Sequence, residues 1–381
     1  MNETQFDIAI VGGGPAGSTA AMFCARMGFR TCVIEKKSFP RETLCGEFLS
    51  REVVQILDEL GITQQFLNLQ PHPLKSFRYS SEHWQSFASE LSFTGYGLRR
   101  GTFDKFLLES ARTAGAVLFQ PATVELIQRN TSGFSLVLTD EIGKKNITAT
   151  NVIGAYGKQN VLDKSLQRNF VSEKSHLNGI KFHVPKKYLK QFPEDEIQMF
   201  TAHKLYCGVN IVNDDTATVC FLERRSEKDV PPRVRLNELL SSNSYFADIV
   251  TPDFESMIDT FPIYGTGNIF FGNRNLVESG IFMIGDAARI IAPLAGDGIG
   301  MAMQSAHIIA SVLEEGRKKN LDAQALGDLY TINWTSSFRR RLRIAQQVQQ
   351  VLLSDIGKKI SISVLAAFPF LLPRTIEFTR G

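Results

Sequence analysis

Three glycines at fixed spacing, Gly12-x-Gly14-x-x-Gly17, follow an apolar run (Phe6 to Val11) and open an Ala-rich one (Pro15 to Met27). The order suits phosphate binding. The first glycine permits a tight turn, the second lets a pyrophosphate approach the backbone, and the third lets helix and strand pack closely. A helix beginning at Pro15 and Ala16 adds unpaired N–H groups and a partial positive charge. Glu35 ends a β-branched run, Thr31 to Ile34, about 20 residues on, where a carboxylate binds ribose hydroxyls. Lys36 and Lys37 follow, with no adjacent Arg for a 2′-phosphate. The stretch predicts dinucleotide binding, and alone it does not separate a flavin from a nicotinamide.

A second constellation lies far along the chain, in "GIFMIGDAARIIAPLAGDGIGMAMQSA", Gly280 to Ala306. An apolar strand ends at Gly285-Asp286, and Pro293 leads to Gly296-Asp297-Gly298-Ile299-Gly300 and a predicted helix. An Asp there accepts hydrogen bonds from a polyol, and a Gly-rich helix start offers N–H groups to an electron-rich ring edge. Nicotinamide cofactors do not need this pair. A flavin, with its ribityl chain and N1–C2=O edge, does, so the cofactor expected is FAD.

With two further stretches, "FPRETLCGEFLS" (Phe39 to Ser50) and "LRRGTFDKFL" (Leu98 to Leu107), the chain resembles the FAD-dependent oxidoreductases and monooxygenases with the p-hydroxybenzoate-hydroxylase fold, in their geranylgeranyl-reductase-like branch. The resemblance spans residues 6 to 306. It implies that Asp286 binds the ribityl hydroxyls and that the backbone at Gly298 to Gly300 faces the flavin N1/O2 edge. It also implies that Arg41 and Arg100 contact the phosphate or ribityl region, and that Cys45 and Gly46 lie near the flavin. Three features depart from the family. "IGAYGKQN" has Tyr156 where the hydroxylases carry Asp, "LYCGVNIV" replaces a Trp-containing segment of the reductases, and the paired-Trp motif of the halogenases has no counterpart. The last argues against halogenation. Asp297 resembles the acidic residue of the reductases more than the amide of the hydroxylases.

These residues need elements to position them. The fold class expected is α/β: a Rossmann-type, glutathione-reductase-like FAD-binding domain interrupted by an antiparallel β-sheet substrate domain, with a C-terminal helical segment. Residues 1–70, 98–175 and 265–335 form the first domain, 71–97 and 176–264 the second, and 336–381 the tail. The β insert is aromatic, with Phe77, Tyr79, Trp84, Phe182, Phe200 and Tyr206, and suits a roof over an apolar pocket. Cys45, Tyr206 and Asp297 are the residues offered for catalysis, with Tyr206 and Cys207 as substrate contacts. His176, His183 and His203 are scattered, and no acid–base pair or metal-ligand cluster stands out.

Bulk properties exclude other classes. A net charge of +3 over 381 residues gives no case for nucleic acid. Five cysteines without a Cys-x-x-Cys pair argue for reduced thiols in a cytoplasmic setting. No secretory leader or spanning apolar run is visible. "ISISVLAAFPFLLP" (Ile360 to Pro373) is expected to be a helix packed on the core, with peripheral membrane contact as the alternative.

The leading reading is an NAD(P)H-driven monooxygenase that oxygenates an apolar or aromatic small molecule through O2 and a flavin C4a-hydroperoxide. NADH or NADPH visits transiently, because there is no second GxGxxG. The alternative is a flavin reductase that saturates C=C bonds of an isoprenoid or polyene. A non-catalytic flavin- or lipid-binding protein is a third.

Overall fold

The computed structural model describes residues 4–82, 85–158, 161–224, 230–293 and 296–380. The apolar runs form a parallel sheet. Gln5–Val11 pairs with Thr31–Ile34 on one side and Lys144–Gly154 on the other. Val117–Phe119 extends the sheet beyond Thr31–Ile34, and Ile281–Met283 extends it beyond Lys144–Gly154. Thr31–Ile34 and Ile281–Met283 are buried throughout, as strands covered on both faces must be. Ala122–Asn130 and Gly133–Asp140 form an antiparallel ribbon joined to Lys144–Gly154.

Parallel strands end on one edge. Gln5–Val11, Thr31–Ile34, Lys144–Gly154 and Ile281–Met283 therefore deliver Gly12, Glu35, Tyr156 and Gly285 to the same side of the sheet. Ligands of open α/β sheets bind at that edge.

The second sheet has eight strands, in the order Ile263–Thr266, Leu177–Pro185, Thr216–Arg224, Leu205–Asn213, Glu196–Ala202, His72–Ser80, Ser86–Gly97, Phe48–Leu49. All its pairs are antiparallel except Glu196–Ala202 with His72–Ser80. Phe48–Leu49 lies in the segment expected to belong to the nucleotide domain, yet it pairs with Tyr96 and Gly97 of this sheet. The Cys45-Gly46-Glu47 stretch is thus the crossing between the two sheets.

The sheet has two faces of different character. Phe182, Phe200, Cys207, Val219 and Phe221 pack against Leu236, Phe246 and Phe254 of short helices between residues 232 and 257. Phe48, Phe77, Tyr79, Tyr206 and Leu222 pack with Ile269, Ile290 and residues of the C-terminal helices, among them Leu352, Ile362, Leu372 and Ile376. Those helices are Ala323–Leu352, Asp355–Ala367 and Leu371–Arg380. The first is one uninterrupted 30-residue helix, and it runs across the boundary expected at residue 335.

Candidate active site

The glycine turn is built as its spacing requires. Gly12 has φ +110°, and a Cβ there would lie 2.5 Å from the Ala155 carbonyl oxygen. At Gly17 a Cβ would lie 1.9 Å from the Gly12 carbonyl oxygen, so this glycine lets helix and strand touch. At Gly14 the nearest atom is an Arg41 nitrogen, 3.6 Å from such a Cβ. The helix Pro15–Arg26 has Pro15 in its first turn and no side-chain cap at Gly14, which leaves its first N–H groups for a ligand. Glu35 is buried and accepts from Gly13 N–H at 2.7 Å and from Lys37 N–H at 2.9 Å. Its carboxylate is therefore held beside the turn. Lys36 is exposed.

The second constellation docks on the first. Gly285, at φ +58°, sits so close to the first helix that a Cβ would be 2.9 Å from the Ala16 Cβ. Its N–H donates to Ser305 Oγ at 3.0 Å. Asp286 follows in a single 3₁₀ turn. Its carbonyl accepts from Arg274 Nη1 at 2.9 Å. Burial lowers the Arg274 pKa to about 10, against the opposing charge of Asp286. Pro293 is exposed, and Gly296 takes φ +62° to reverse the chain before the helix Gly298–Lys319.

Asp297 occupies the N-cap position of that helix without capping it. Its carboxylate instead accepts from Ser50 Oγ at 3.0 Å and from Arg341 Nη1 of the long C-terminal helix. The N–H groups of Gly298, Ile299 and Gly300 are consequently not claimed by their own N-cap. Asp297 is fully buried and ion-paired, so it holds the start of Gly298–Lys319 against the long C-terminal helix.

Arg41 has its guanidinium over the Phe39 ring at 4.9 Å and 3.6 Å from Asp104. Its buried Nε has no hydrogen-bond partner among the described residues. Arg100 makes a bidentate pair with Asp104 at 2.7 and 2.8 Å. Burial alone would lower the Arg100 pKa, but Asp104 and Cys45 beside it push it up. Cys45 is partly exposed, and its Sγ accepts from Glu47 N–H at 3.3 Å. Gly46 is exposed, with open space where a Cβ would be. The glycine cradles, the two open helix starts and the orphan Arg41 Nε together fit a flavin dinucleotide.

The structure also assembles what the sequence did not reveal. His183 is a core residue only in its burial, for its Nε2 is 2.7 Å from Glu47 Oε2. Glu47 further accepts from Lys181 Nζ at 2.8 Å, from Arg100 N–H at 2.9 Å and from the Thr218 hydroxyl. Lys181 Nζ also reaches Glu42 at 3.0 Å, and Glu42 holds Arg99 at 2.8 Å. Burial would raise the Glu47 pKa, but His183 and Lys181 more than reverse this and take it down to about 2. Glu42, Glu47 and His183 are spaced like metal ligands, but the Lys181 ammonium stands as the cation between the two carboxylates. The available signal was Lys181 and His183 flanking Phe182 in an apolar strand, which puts both on the face opposite that ring.

Strand alternation sorts the expected substrate contacts. Tyr206 lies on the face shared with Phe48 and Ile290 and donates to Gln349 Oε1 at 3.2 Å. Cys207 belongs to the opposite, helix-covered face, because successive residues of a strand point to opposite sides. It is therefore no companion of Tyr206 in a pocket. Burial raises the Cys207 pKa well above its usual value, as it must for a thiol in an apolar core. Trp84 lies outside the described residues. Tyr156 donates to Asp163 at 2.9 Å, and Arg168 Nη1 approaches its hydroxyl at 3.3 Å. It thus holds the loop after Lys144–Gly154 against the segment around Asp163. Among the described residues, a small cleft opens between the Arg289–Ala292 loop and the long helix, lined by Phe271, Ile290, Leu342 and Gln346.

Residues 5–331 match the family described as FAD binding domain. A 1H-pyrrole-2-carbonyl-(peptidyl-carrier protein) chlorinase from Pseudomonas fluorescens is 24% identical over 360 residues, covering 84% of this chain and 78% of the relative. A digeranylgeranylglycerophospholipid reductase from Thermoplasma acidophilum is 25% identical over 333 residues, covering 83% and 79%. Among solved structures, a geranylgeranyl bacteriochlorophyll reductase-like protein from Thermoplasma acidophilum aligns with a TM-score of 0.74 at 21% identity, over 93% of this chain and 90% of that one. A probable FAD-dependent monooxygenase from Pseudomonas aeruginosa aligns at 0.73 and 14% identity, over 93% and 98%.

Proposed function

Since the chain belongs to the FAD binding domain family, we propose that it is an FAD-dependent oxidoreductase that uses NAD(P)H and O2 to oxygenate an apolar or aromatic small molecule. FAD held by these residues would supply the redox chemistry, with NAD(P)H as the reductant and O2 as the oxidant. The protein's share is to bind, orient and exclude water. Gly12, Gly14, Gly17, Glu35 and Arg41 hold the dinucleotide end, and Asp286 with the Gly298–Gly300 N–H groups holds the ribityl and ring end.

The observation that carries the apolar substrate is the face formed by Phe48, Tyr206, Ile269 and Ile290. Its polar element is the Tyr206 hydroxyl, already engaged with Gln349. An apolar, closed wall keeps water from a reactive oxygen species, which oxygenation needs.

A second reading is favoured by a specific observation, the buried Glu47–His183–Lys181 network beside Cys45 and Gly46. Saturating a C=C bond takes a hydride on one carbon and a proton on the other. A buried imidazole held by a carboxylate is suited to supply the proton. An isoprenoid substrate would also give the C-terminal tail reason to meet a membrane.

Anaerobic reduction of the yellow protein, followed by re-oxidation with a panel of acceptors, separates the two. Oxygenation predicts that substrate accelerates O2 consumption and that oxygen enters the product. Re-oxidation by a polyprenyl acceptor without oxygen assigns the reductase reading instead. A protein that stays colourless after supply of FAD would overturn both.

A further inference from the structure

The C-terminal hairpin has its polarity inverted. In Asp355–Ala367, Lys358 is 0% exposed, and its ammonium bonds both Glu82 oxygens at 2.8 and 3.0 Å and the Ala202 carbonyl at 2.6 Å. Ile356, two residues earlier, is 73% exposed and Ile360 is 59% exposed. At about 100° per residue, Ile356, Ile360 and Val364 form one stripe on the side opposite Lys358, Ile362 and Leu365. The inner side is satisfied, since Ile362 packs with Leu372, Ile376 and Tyr79. The outer ridge continues through the turn, where Phe368 and Phe370 are each about half exposed.

Cations lie on this hairpin and on the helix before it, and Glu377 is the exposed acid of Leu371–Arg380. Arg339, Arg340, Arg343, Lys359 and Arg374 are exposed, and none makes an ion pair among the described residues. The guanidinium groups of Arg374 and Arg340 lie over the rings of Phe370 and Phe378 at 5.3 and 4.9 Å. Asp355, by contrast, is held by Lys358 and His203. Among the described residues no single helix is long and apolar enough to cross a membrane, and the hairpin bends by 120° between Ala367 and Leu371.

We propose that this hairpin docks on the surface of a lipid bilayer carrying anionic headgroups. Ile356, Ile360, Phe368 and Phe370 enter the acyl boundary, and the exposed arginines and Lys359 meet the lipid phosphates. An apolar ridge rimmed by unpaired cations has the chemistry of a monotopic anchor. A second copy of the chain, docked symmetrically, would bring like charge against like. The inference holds whichever acceptor the flavin serves, because it concerns a different surface.

The test is co-sedimentation of the FAD-loaded protein with phosphatidylcholine vesicles, with and without phosphatidylglycerol. Wild type is expected to pellet with the anionic vesicles and to be released as salt rises. The double variant Ile360→Glu/Phe370→Glu should lower the vesicle partition constant by about tenfold or more, with flavin absorbance and melting temperature unchanged. Arg340→Gln/Arg374→Gln should weaken binding by about tenfold on anionic vesicles only. Wild type left in the supernatant with both compositions would overturn the proposal, as would undiminished binding by the Ile360→Glu/Phe370→Glu protein. So would a wild-type dimer that this variant dissolves without loss of vesicle binding, since the ridge would then join two copies.

Discussion

The carboxylate of Asp297 stands at the start of Gly298–Lys319 and bonds Arg341 of the following helix instead of its own helix N–H groups. One ion pair therefore ties the C-terminal helical layer to the loop expected to face the flavin ring, and leaves that helix start open. Breaking a buried pair strands an uncompensated charge, at about 3–5 kcal/mol. Arg341→Met should lower the melting temperature and weaken FAD binding together. Asp297→Asn added to Arg341→Met should recover part of the stability. Thermal melts and flavin-fluorescence titrations of both proteins read this out, and an unchanged Arg341→Met protein contradicts it.

The glycines of the first turn should separate by function. A methyl at Gly17 would collide with the Gly12 carbonyl, whereas at Gly14 it would meet only the Arg41 side chain. Gly17→Ala is expected to lose stability and flavin together. Gly14→Ala should keep the apoprotein melting temperature and lose FAD affinity by about tenfold or more, as a site that admits a phosphate only against bare backbone requires.

Asp286 tests the other end of the cofactor. Asp286→Ala removes the acceptor proposed for the ribityl hydroxyls, where a charge-assisted bond is worth about 1.5–3 kcal/mol. FAD affinity should fall by about tenfold to a hundredfold, measured by equilibrium titration. Full flavin occupancy at limiting FAD would show that the residue does not touch the ribityl chain.

Glu47 makes acid stability measurable. Its pKa falls from 4.5 to about 2 on folding, so the folded state binds the proton less readily than the unfolded one. Its stabilisation is complete above 4.5 and is lost as pH falls towards about 2. Glu47→Gln should be less stable than wild type at neutral pH, because Lys181 and His183 lose their common carboxylate. The gap should narrow on acidification through that window. A denaturant midpoint series across pH checks the sign, and a gap that widens towards low pH refutes it.

The glycine turns were legible in the chain, because they are local. Gly12, Gly14, Gly17 and Glu35 lie within one strand–helix–strand unit, and Gly285-Asp286 carries its own turn. The Glu47 network was not legible. Its members come from residue 42 to residue 218 and meet only where the Phe48–Leu49 crossing brings Glu47 under two neighbouring strands. Cys207 was misplaced because the identity of a residue does not say which face of a strand it takes.

The C-terminal segment shows the same division. Composition marked Ile360 to Pro373 as an apolar stretch, and a helix on the core was the natural expectation. Helical periodicity does not choose which of two apolar faces turns inward. Glu82 and the Ala202 carbonyl made that choice by drawing Lys358 inside, which sends Ile356 and Ile360 to the surface. The sequence by itself determined the glycine turns, the alternation of helix and strand, and the apolar character of the second sheet, all of which depend on neighbours within about one element of each other. The tertiary structure alone decided the buried charge network, the Asp297–Arg341 tie and the outward ridge. Each depends on a partner from a distant segment, and burial makes such a partner obligatory without naming it in the local chain.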